Sequence, residues 1–193
     1  TMKKKILVIL CHPDSNSFCG SITQAYVDGV MDTGAEIRQL KLGELTFDPV
    51  LWNGYNKIQD LEPGLVKAQE LIHWSNHLVF IYPNWWGSMP ALMKGFFDRV
   101  FLPGFAFKYG KGSSLPDKLL TGRTAHLMVT MDTPVWYYRW VFHRPGHNQM
   151  KRTILEFCGI KVLKILEFAP IKGSNQQQRE KWIAMAKELG SKA

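Results

Sequence analysis

The chain has 193 residues, a length that suits one domain with a substantial core, so we expect a single domain over residues 1–193. Hydrophobic residues make up 46% of the sequence and charged residues 21%, a balance that excludes a disordered chain and a polytopic membrane protein. Lys and Arg total 24 against 16 Asp and Glu, but apart from Lys3, Lys4 and Lys5 they are dispersed, which argues against a nucleic-acid-binding protein.

Short apolar runs alternate along the chain with segments of helical periodicity. The runs are partly β-branched, as in strands that are buried on both faces of a parallel sheet. In chain order the predicted strands span residues 6–10, 36–42, 78–82, 126–130 and 162–168. Helices are predicted around residues 22–30, 65–74, 89–101, 150–158 and 176–189, with loops at 47–63 and 103–116.

This alternation predicts an α/β fold, because right-handed crossovers place helices on both faces of a parallel sheet. With five strands, we expect a flavodoxin-like three-layer α/β/α arrangement with strand order 2-1-3-4-5. The chain then reverses direction between the first and third strands and leaves a crevice beyond their carboxyl ends. The loops at that crevice are residues 12–18 and 83–88.

The loop after the first strand leads directly into a helix. Unpaired backbone N–H groups and the helix dipole favour a phosphate there, and the serine and asparagine side chains of the loop add donors. The alternative is that these polar residues only cap the helix. The loop lacks G-x-G-x-x-G, and the nearest imitation of a P-loop, residues 110–113, follows no strand, so we do not expect an ATPase.

Trp85 and Trp86 follow the third predicted strand at its carboxyl end. Adjacent side chains there cannot easily both point into a core, so the pair indicates either a site for a flat aromatic ligand or ordinary packing. Phe105, Phe107 and Tyr109 add aromatic surface in the next loop.

Several motifs resemble those of the NAD(P)H:quinone oxidoreductase family, in order and over nearly the whole chain. They comprise residues 11–13 with 17–18, 83–91, 94–101, 104–107 and 156–159. The resemblance implies an enzyme that transfers a hydride from NADH or NADPH through a bound flavin to a quinone or similar acceptor. It also implies a flavin-binding set on three loops: His12, Asn16, Ser17, Phe18, Pro83, Asn84, Trp85, Trp86, Gly87, Thr130, Met131, Asp132 and Thr133.

In the family, backbone N–H groups of the second loop point at flavin N5 and O4, and the third loop approaches N1 and O2. Here Asp132 and Thr133 stand where the family has paired glycines, so a side chain could replace the backbone near the ring. Cys19 replaces an asparagine near the pyrophosphate of the larger, FAD-binding members, whose C-terminal extension has no counterpart here. FMN is therefore expected rather than FAD.

Two side chains are candidates for stabilising charge near N1 and O2 of the reduced ring. The family's tyrosine corresponds to Tyr138, whereas its histidine falls on Arg144, with His143 one residue away. We therefore predict Tyr138 and His143 as catalytic residues, with the alternative that His143 is an ordinary surface histidine. Trp86, Phe107 and Tyr109 are predicted to border the slot for the nicotinamide and the acceptor.

The family's two-fold symmetry implies a homodimer in which Phe107 and Tyr109 reach over the flavin of the other subunit. The helix at residues 89–101 suggests the same, because its residues are apolar on nearly all sides, unless a single core covers it. Three cysteines without metal-ligand spacing predict reduced thiols, no metal site and a cytoplasmic protein. No membrane span or export signal is expected.

Two other interpretations remain open at this point. Some relatives of the family are regulatory subunits docked to a membrane transporter, and such a protein would bind flavin without turnover. Cys11 and His12 are adjacent and could form a nucleophile and base, although no acid is evident to orient the histidine.

Overall fold

The structure is a computed structural model that describes residues 3–110 and 115–193. Its strands are β1 (Lys5–Leu10), β2 (Glu36–Lys41), β3 (His77–Pro83), β4 (Phe107–Tyr109), β5 (Pro116–Lys118), β6 (Thr124–Thr130) and β7 (Lys161–Phe168). Its α-helices are α1 (Phe18–Met31), α2 (Pro63–Trp74), α3 (Ala91–Val100), α4 (Val135–Trp140), α5 (Pro145–Asn148) and α6 (Gln176–Ser191). A 3₁₀ turn spans Leu42–Glu44, and a π-helix, Gln149–Glu156, follows α5.

Five strands form a parallel sheet in the order β2-β1-β3-β6-β7, which is the predicted flavodoxin-like order. Alternate residues of β1 face opposite sides of the sheet. Ile6 and Val8 pack with α1 and α6, whereas Leu7 and Ile9 pack with α2 and α3. Because helices cover both faces, β3 is buried at every residue. The fold class predicted from the sequence is confirmed.

The structure adds short elements that the sequence pattern did not predict. β4 and β5 form a hairpin in the predicted loop at 103–116, and most of the P-loop-like stretch lies outside the described residues. Helical structure in the following region begins at Val135, well before residue 150. Strands of three residues and a helix of six are too short to show a clear periodicity.

For α3 the structure agrees with the alternative in which a single core covers its apolar sides. Its large apolar residues pack in the core of the chain itself: Met93, Phe96, Phe97 and Val100. The loop before α2 lies so close to α3 that a Cβ on Gly95 would come within 2.4 Å of Pro49 Cβ. The outer face carries the ion pair of Lys94 and Asp98, at 2.7 Å. One core therefore covers the helix.

A polar cluster lies buried near the amino ends of β3 and β6. Tyr26 Oη lies 3.3 Å from His77 Nε2 and 3.0 Å from His126 Nδ1. Burial, together with His126 and a nearby lysine, lowers the pKa of His77 to about 2. Burial and nearby lysines lower the pKa of His126 to about 4. Both imidazoles are therefore neutral at neutral pH.

We expect the protein to lose stability as the pH falls below about 6.5, the ordinary pKa of histidine. Between about pH 6.5 and pH 4, His77 and His126 take up protons in the unfolded chain but stay neutral in the folded chain. The free energy of unfolding therefore decreases as the pH is lowered through this range. Each unit of pKa shift is worth about 1.4 kcal/mol, which makes the loss several kcal/mol by about pH 4. Urea unfolding across this range measures it. A His126→Gln variant should show a shallower dependence, and an unchanged one would contradict the assignment.

Candidate functional site

A cavity of 250 Å³ lies at the carboxyl ends of β1, β3 and β6, where the fold predicts a crevice. Nine of the predicted flavin-binding residues line it: His12, Ser17, Phe18, Pro83, Asn84, Trp85, Thr130, Met131 and Asp132. Asn16, Trp86, Gly87 and Thr133 lie on the same loops but outside the lining. The structure thus brings the three predicted loops together at one site.

Hydrogen bonds within the first loop fix its shape. Asp14 Oδ1 accepts from the Asn16 N–H at 2.8 Å, and His12 Nδ1 accepts from the Asp14 N–H at 2.9 Å. The His12 ring packs edge-on against Trp85 of the second loop, with ring centroids 5.5 Å apart. Asn16 therefore stabilises the loop through its backbone N–H, while its side chain is exposed to solvent.

Ser17 is the N-cap of α1, and its Oγ accepts from the Gly20 N–H at 3.3 Å. The helix-cap interpretation is thus correct for Ser17. This cap satisfies only one of the free N–H groups at the helix terminus. The N–H groups of Phe18 and Cys19 have no acceptor among the described residues. Two donors and the positive end of the helix dipole remain available to an anion at the cavity.

The second loop is a tight turn in which Trp85 and Ser88 exchange backbone hydrogen bonds, at 2.9 and 3.1 Å. Trp86 and Gly87 between them have φ values of 53° and 77°, and the Trp86 side chain is fully exposed. A tryptophan in the left-handed region is strained, and such strain is common at ligand sites. Within residues 3–110 and 115–193, no acceptor meets the N–H groups of Trp86 and Gly87.

The third loop joins the other two. Thr130 O accepts from the Asn84 N–H at 2.7 Å, and Thr130 Oγ1 lies 3.3 Å from Cys19 Sγ. Asp132 Oδ1 accepts from the Lys172 N–H at 2.7 Å. The Asp132 carboxylate, which stands where the resembled family has glycine, is therefore held by the loop after β7 while it lines the cavity.

Tyr138 is only 1% exposed and does not line the cavity. Its Oη donates to Gly87 O at 3.0 Å and accepts from the Gly146 N–H at 2.9 Å, and burial raises the pKa of the phenol. The hydroxyl that the resemblance would place beside the flavin ring is thus already committed to the backbone. In this structure Tyr138 is a positioning residue for the strained turn at Trp86 and Gly87.

We expect Tyr138→Phe to lower the free energy of unfolding by about 1 kcal/mol, because Gly87 O and the Gly146 N–H each lose a hydrogen bond to the hydroxyl while their own hydrogen bond of 2.9 Å remains. It should also weaken flavin binding, because the turn that borders the cavity loses its brace. The rate of flavin reduction in the loaded protein should change less, since the hydroxyl does not reach the cavity. Urea unfolding, flavin titration and stopped-flow reduction separate these effects. Slower reduction with unchanged affinity and stability would contradict the positioning role.

His143 is exposed and does not line the cavity, which agrees with the alternative of a surface histidine. The buried histidine of this region is His147, whose Nε2 lies 2.9 Å from Glu167 Oε1 and whose ring packs against Tyr138. Burial raises the pKa of Glu167, but the hydrogen bond from His147 and nearby charges outweigh it and lower the pKa overall. The His147 ring, held by Glu167, therefore packs against Tyr138 and helps to fix its position.

Phe107 and Tyr109 lie on β4 and do not reach the cavity. Their rings are 5.7 Å apart, and both border a second, more apolar cavity of 590 Å³ beside Phe97, Phe101 and Phe157. A single chain therefore does not assemble the predicted slot from Trp86, Phe107 and Tyr109.

The interpretation of Cys11 and His12 as a nucleophile and base is not supported. Cys11 is fully buried, its Sγ donates to Ile9 O at 3.6 Å, and burial raises the pKa of the thiol well above its ordinary value. A neutral buried thiol is a poor nucleophile. The other cysteines, Cys19 and Cys158, are also free and buried, as expected for reduced thiols.

Two residues of the cavity, Cys19 and Ile171, were not among the predicted binding residues. Ile171 follows β7, and the rule that ligands bind beyond strand ends could have pointed to this loop.

No helix in the described part of the chain is both long and apolar enough to cross a membrane. Residues 3–110 and 115–193 also contain no cluster of three or more His, Cys, Asp or Glu side chains suited to a metal ion.

The order of the sheet and the cavity at its switch point define a flavodoxin-like protein. The sequence family described as having the flavodoxin-like fold matches residues 4–190, and the chain belongs to this family. The rat ribosyldihydronicotinamide dehydrogenase (quinone) is 26% identical, over 96% of this chain and 92% of the rat enzyme. The resemblance to quinone oxidoreductases inferred from the motifs is confirmed.

Solved structures have the same fold. Smu.1420 from Streptococcus mutans superimposes with a TM-score of 0.84 at 28% identity, over 98% of this chain and 100% of that one. An FMN-dependent NADH-azoreductase from Bacillus anthracis, solved in complex with FMN, gives a TM-score of 0.72 at 19% identity, over 98% and 99% of the two chains. At that identity the second likeness shows the fold alone.

Proposed function

We propose that the chain is a flavin-dependent NAD(P)H oxidoreductase that binds FMN at the three loops and reduces quinones or similar acceptors. One observation carries the proposal: two neighbouring loops that border a single cavity each contain a pair of backbone N–H groups with no acceptor among residues 3–110 and 115–193. Phe18 and Cys19 line the cavity, and Trp86 and Gly87 follow its lining residue Trp85. The first pair suits a phosphate, and the second suits the polar edge of a flat ring. The rat relative is named for a quinone, and the Bacillus neighbour for FMN.

Each pair of donors would have a different task. Phe18 and Cys19 would hold the phosphate against the positive end of α1, with the surplus of basic residues attracting anionic cofactors from solution. Trp86 and Gly87 would donate toward N5 and O4, by analogy with the resembled family, and stabilise negative charge on the reduced ring. Bound FMN supplies the group that takes a hydride from NADH or NADPH and passes it on. No protein side chain is needed as a nucleophile.

The choice of FMN over FAD rests on the residues beside the phosphate site. Cys19, where the FAD-binding members have an asparagine, bonds to Thr130 inside the protein and offers no donor toward a second phosphate. We propose a cytoplasmic location, which fits three buried, free cysteines.

We further propose a homodimer with shared sites. The cavity of 250 Å³ is smaller than typical ligand pockets of about 300–1,000 Å³, so a bound flavin ring would lie partly outside it, beside Trp85 and Trp86. In a two-fold dimer the partner subunit's Phe107 and Tyr109 could cover that ring. Light scattering of the flavin-loaded protein should give twice the chain mass. A fully active monomer would contradict the shared site.

Steady-state kinetics test the proposed reaction. Because the nicotinamide and the acceptor would stack in turn over the same ring, varying NAD(P)H and a quinone should give parallel double-reciprocal lines. Intersecting lines would show that both substrates bind together, and a single shared slot would then be wrong.

A further inference from the structure

The segment after β6 exposes an unusual set of apolar side chains. We define the α4 face as Trp136, Tyr137, Trp140, Val141 and Phe142, which are 63%, 37%, 71%, 47% and 48% exposed. Its rings contact one another, with centroids 5.5 Å apart for Trp136 and Tyr137 and 5.0 Å apart for Tyr137 and Phe142. None of the five residues packs in either core cluster. A contiguous exposed apolar patch of this kind marks an interaction surface.

The fold holds the α4 face outward. Tyr138 anchors the helix from its inner side by its hydrogen bond to Gly87 O, while Trp136 and Trp140 share the outer side at i,i+4 spacing. The same hydrogen bond ties the helix to the loop of Trp85 and Trp86, which are 45% exposed and fully exposed. The exposed aromatic side chains are therefore fixed in place beside the wall of the cavity.

Basic side chains predominate around the α4 face, although the half-buried Glu167 lies near two of them, Arg139 and Arg144. Residues 133–155 include four Lys and Arg residues, namely Arg139, Arg144, Lys151 and Arg152, and contain no Asp or Glu. Arg139 and Arg144 form no ion pair with any acid of the described chain. Lys151 has only a distant exposed partner, Glu156 at 3.9 Å. The surface thus combines tryptophan, tyrosine and a surplus of cations.

We propose that the α4 face binds the surface of a lipid bilayer that contains anionic headgroups. Tryptophan and tyrosine favour the boundary between headgroups and acyl chains, and arginine side chains among them pair with lipid phosphates. A second copy is the poorer occupant, because a two-fold contact through this face would set its cations against themselves. Bilayer binding would place the cavity beside lipid-dissolved acceptors, a consequence that rests on the proposed function, whereas the binding itself does not.

Co-sedimentation of the flavin-loaded protein with vesicles tests the proposal. We expect binding to vesicles of phosphatidylcholine with phosphatidylglycerol, and weak binding to phosphatidylcholine alone or at high salt. Arg139→Glu and Trp140→Ser should each weaken binding about tenfold, and both side chains are exposed, so the fold should survive. The matched controls are Lys181→Glu on α6 and Trp52→Ser, whose side chain is 70% exposed. Neither control should change binding by more than about twofold.

Absence of binding to the anionic vesicles would overturn the proposal. So would equal losses in the α4 variants and their controls, because these would reflect net charge or general hydrophobicity. If Trp140→Ser instead lowers the oligomer mass in light scattering, a second copy covers the face and the lipid assignment is wrong. Turnover with a water-soluble quinone should be the same for all four variants, so a failure here is distinguishable from a failure of the proposed function.

Discussion

Ser17→Asp is expected to lose the flavin while the protein stays folded. Aspartate is a good N-cap and can still accept from the Gly20 N–H, so α1 should keep its first turn. Its carboxylate, however, would stand beside the N–H groups of Phe18 and Cys19, where the phosphate is proposed to bind. Two like charges about 4 Å apart repel by about 4 kcal/mol at an effective dielectric constant of about 20, or roughly a thousandfold in affinity.

Ser21→Asp is the matched control. Ser21 is an exposed residue of the same helix and does not line the cavity, so the same change of charge there should leave flavin occupancy nearly intact. Absorbance of the purified variants and a flavin titration measure the difference, and circular dichroism checks the fold. Undiminished flavin in a folded Ser17→Asp protein would mean that the phosphate binds elsewhere.

Glu62→Ala is expected to lower the free energy of unfolding by about 3–5 kcal/mol. Arg99 of α3 is 1% exposed, and its guanidinium pairs with Glu62 at 3.0 Å and donates to Asp60 O at 2.7 Å. It also donates to Asp48 O. These bonds hold the loop over residues 48–62 against the helix. Without Glu62, the guanidinium would remain buried beside carbonyl groups alone, and an uncompensated buried charge is costly.

Glu70→Ala provides the comparison, because Glu70 pairs with Lys67 at 2.9 Å on the exposed side of α2. Both side chains of that pair are 60% exposed, and such pairs contribute at most about 1 kcal/mol. Glu62 caps α2 with its backbone only, so its replacement by alanine removes no side-chain cap. Urea unfolding of both variants should therefore separate them by several kcal/mol. Similar stabilities would show that Arg99 does not depend on Glu62.

The sheet could be predicted from the sequence because its central strands are buried on both faces. Continuous apolar runs such as Leu78–Tyr82 are typical of strands in that environment, and their alternation with helices indicates a parallel sheet. The number of such strands, five, then favours the flavodoxin-like order. Burial of α3 could not be predicted in the same way. It depends on the irregular loop at Pro49, which packs against Gly95, a contact between residues far apart in sequence.

The cavity lining was largely predictable, whereas the side chains proposed for catalysis were not. Ser17, Trp85 and Thr130 follow strand ends, and parallel topology brings strand ends together. The role of Tyr138 depends on which atom its hydroxyl bonds to, and that atom, Gly87 O, belongs to a residue 51 positions away in sequence. No local sequence pattern predicts such a hydrogen bond. Sequence alone therefore located the cavity and its loops but did not separate the residues that line the cavity from those that position its loops.

The visible spectrum of the purified protein, followed during anaerobic addition of NADH or NADPH, tests the proposed flavin chemistry most directly. We expect flavin absorbance, release of FMN on denaturation, bleaching by the nicotinamide and recovery of the spectrum when a quinone is added. A protein that neither contains nor binds flavin would contradict the proposed site. Bound flavin that no nicotinamide reduces would contradict the enzymatic role and favour a regulatory flavin-binding subunit.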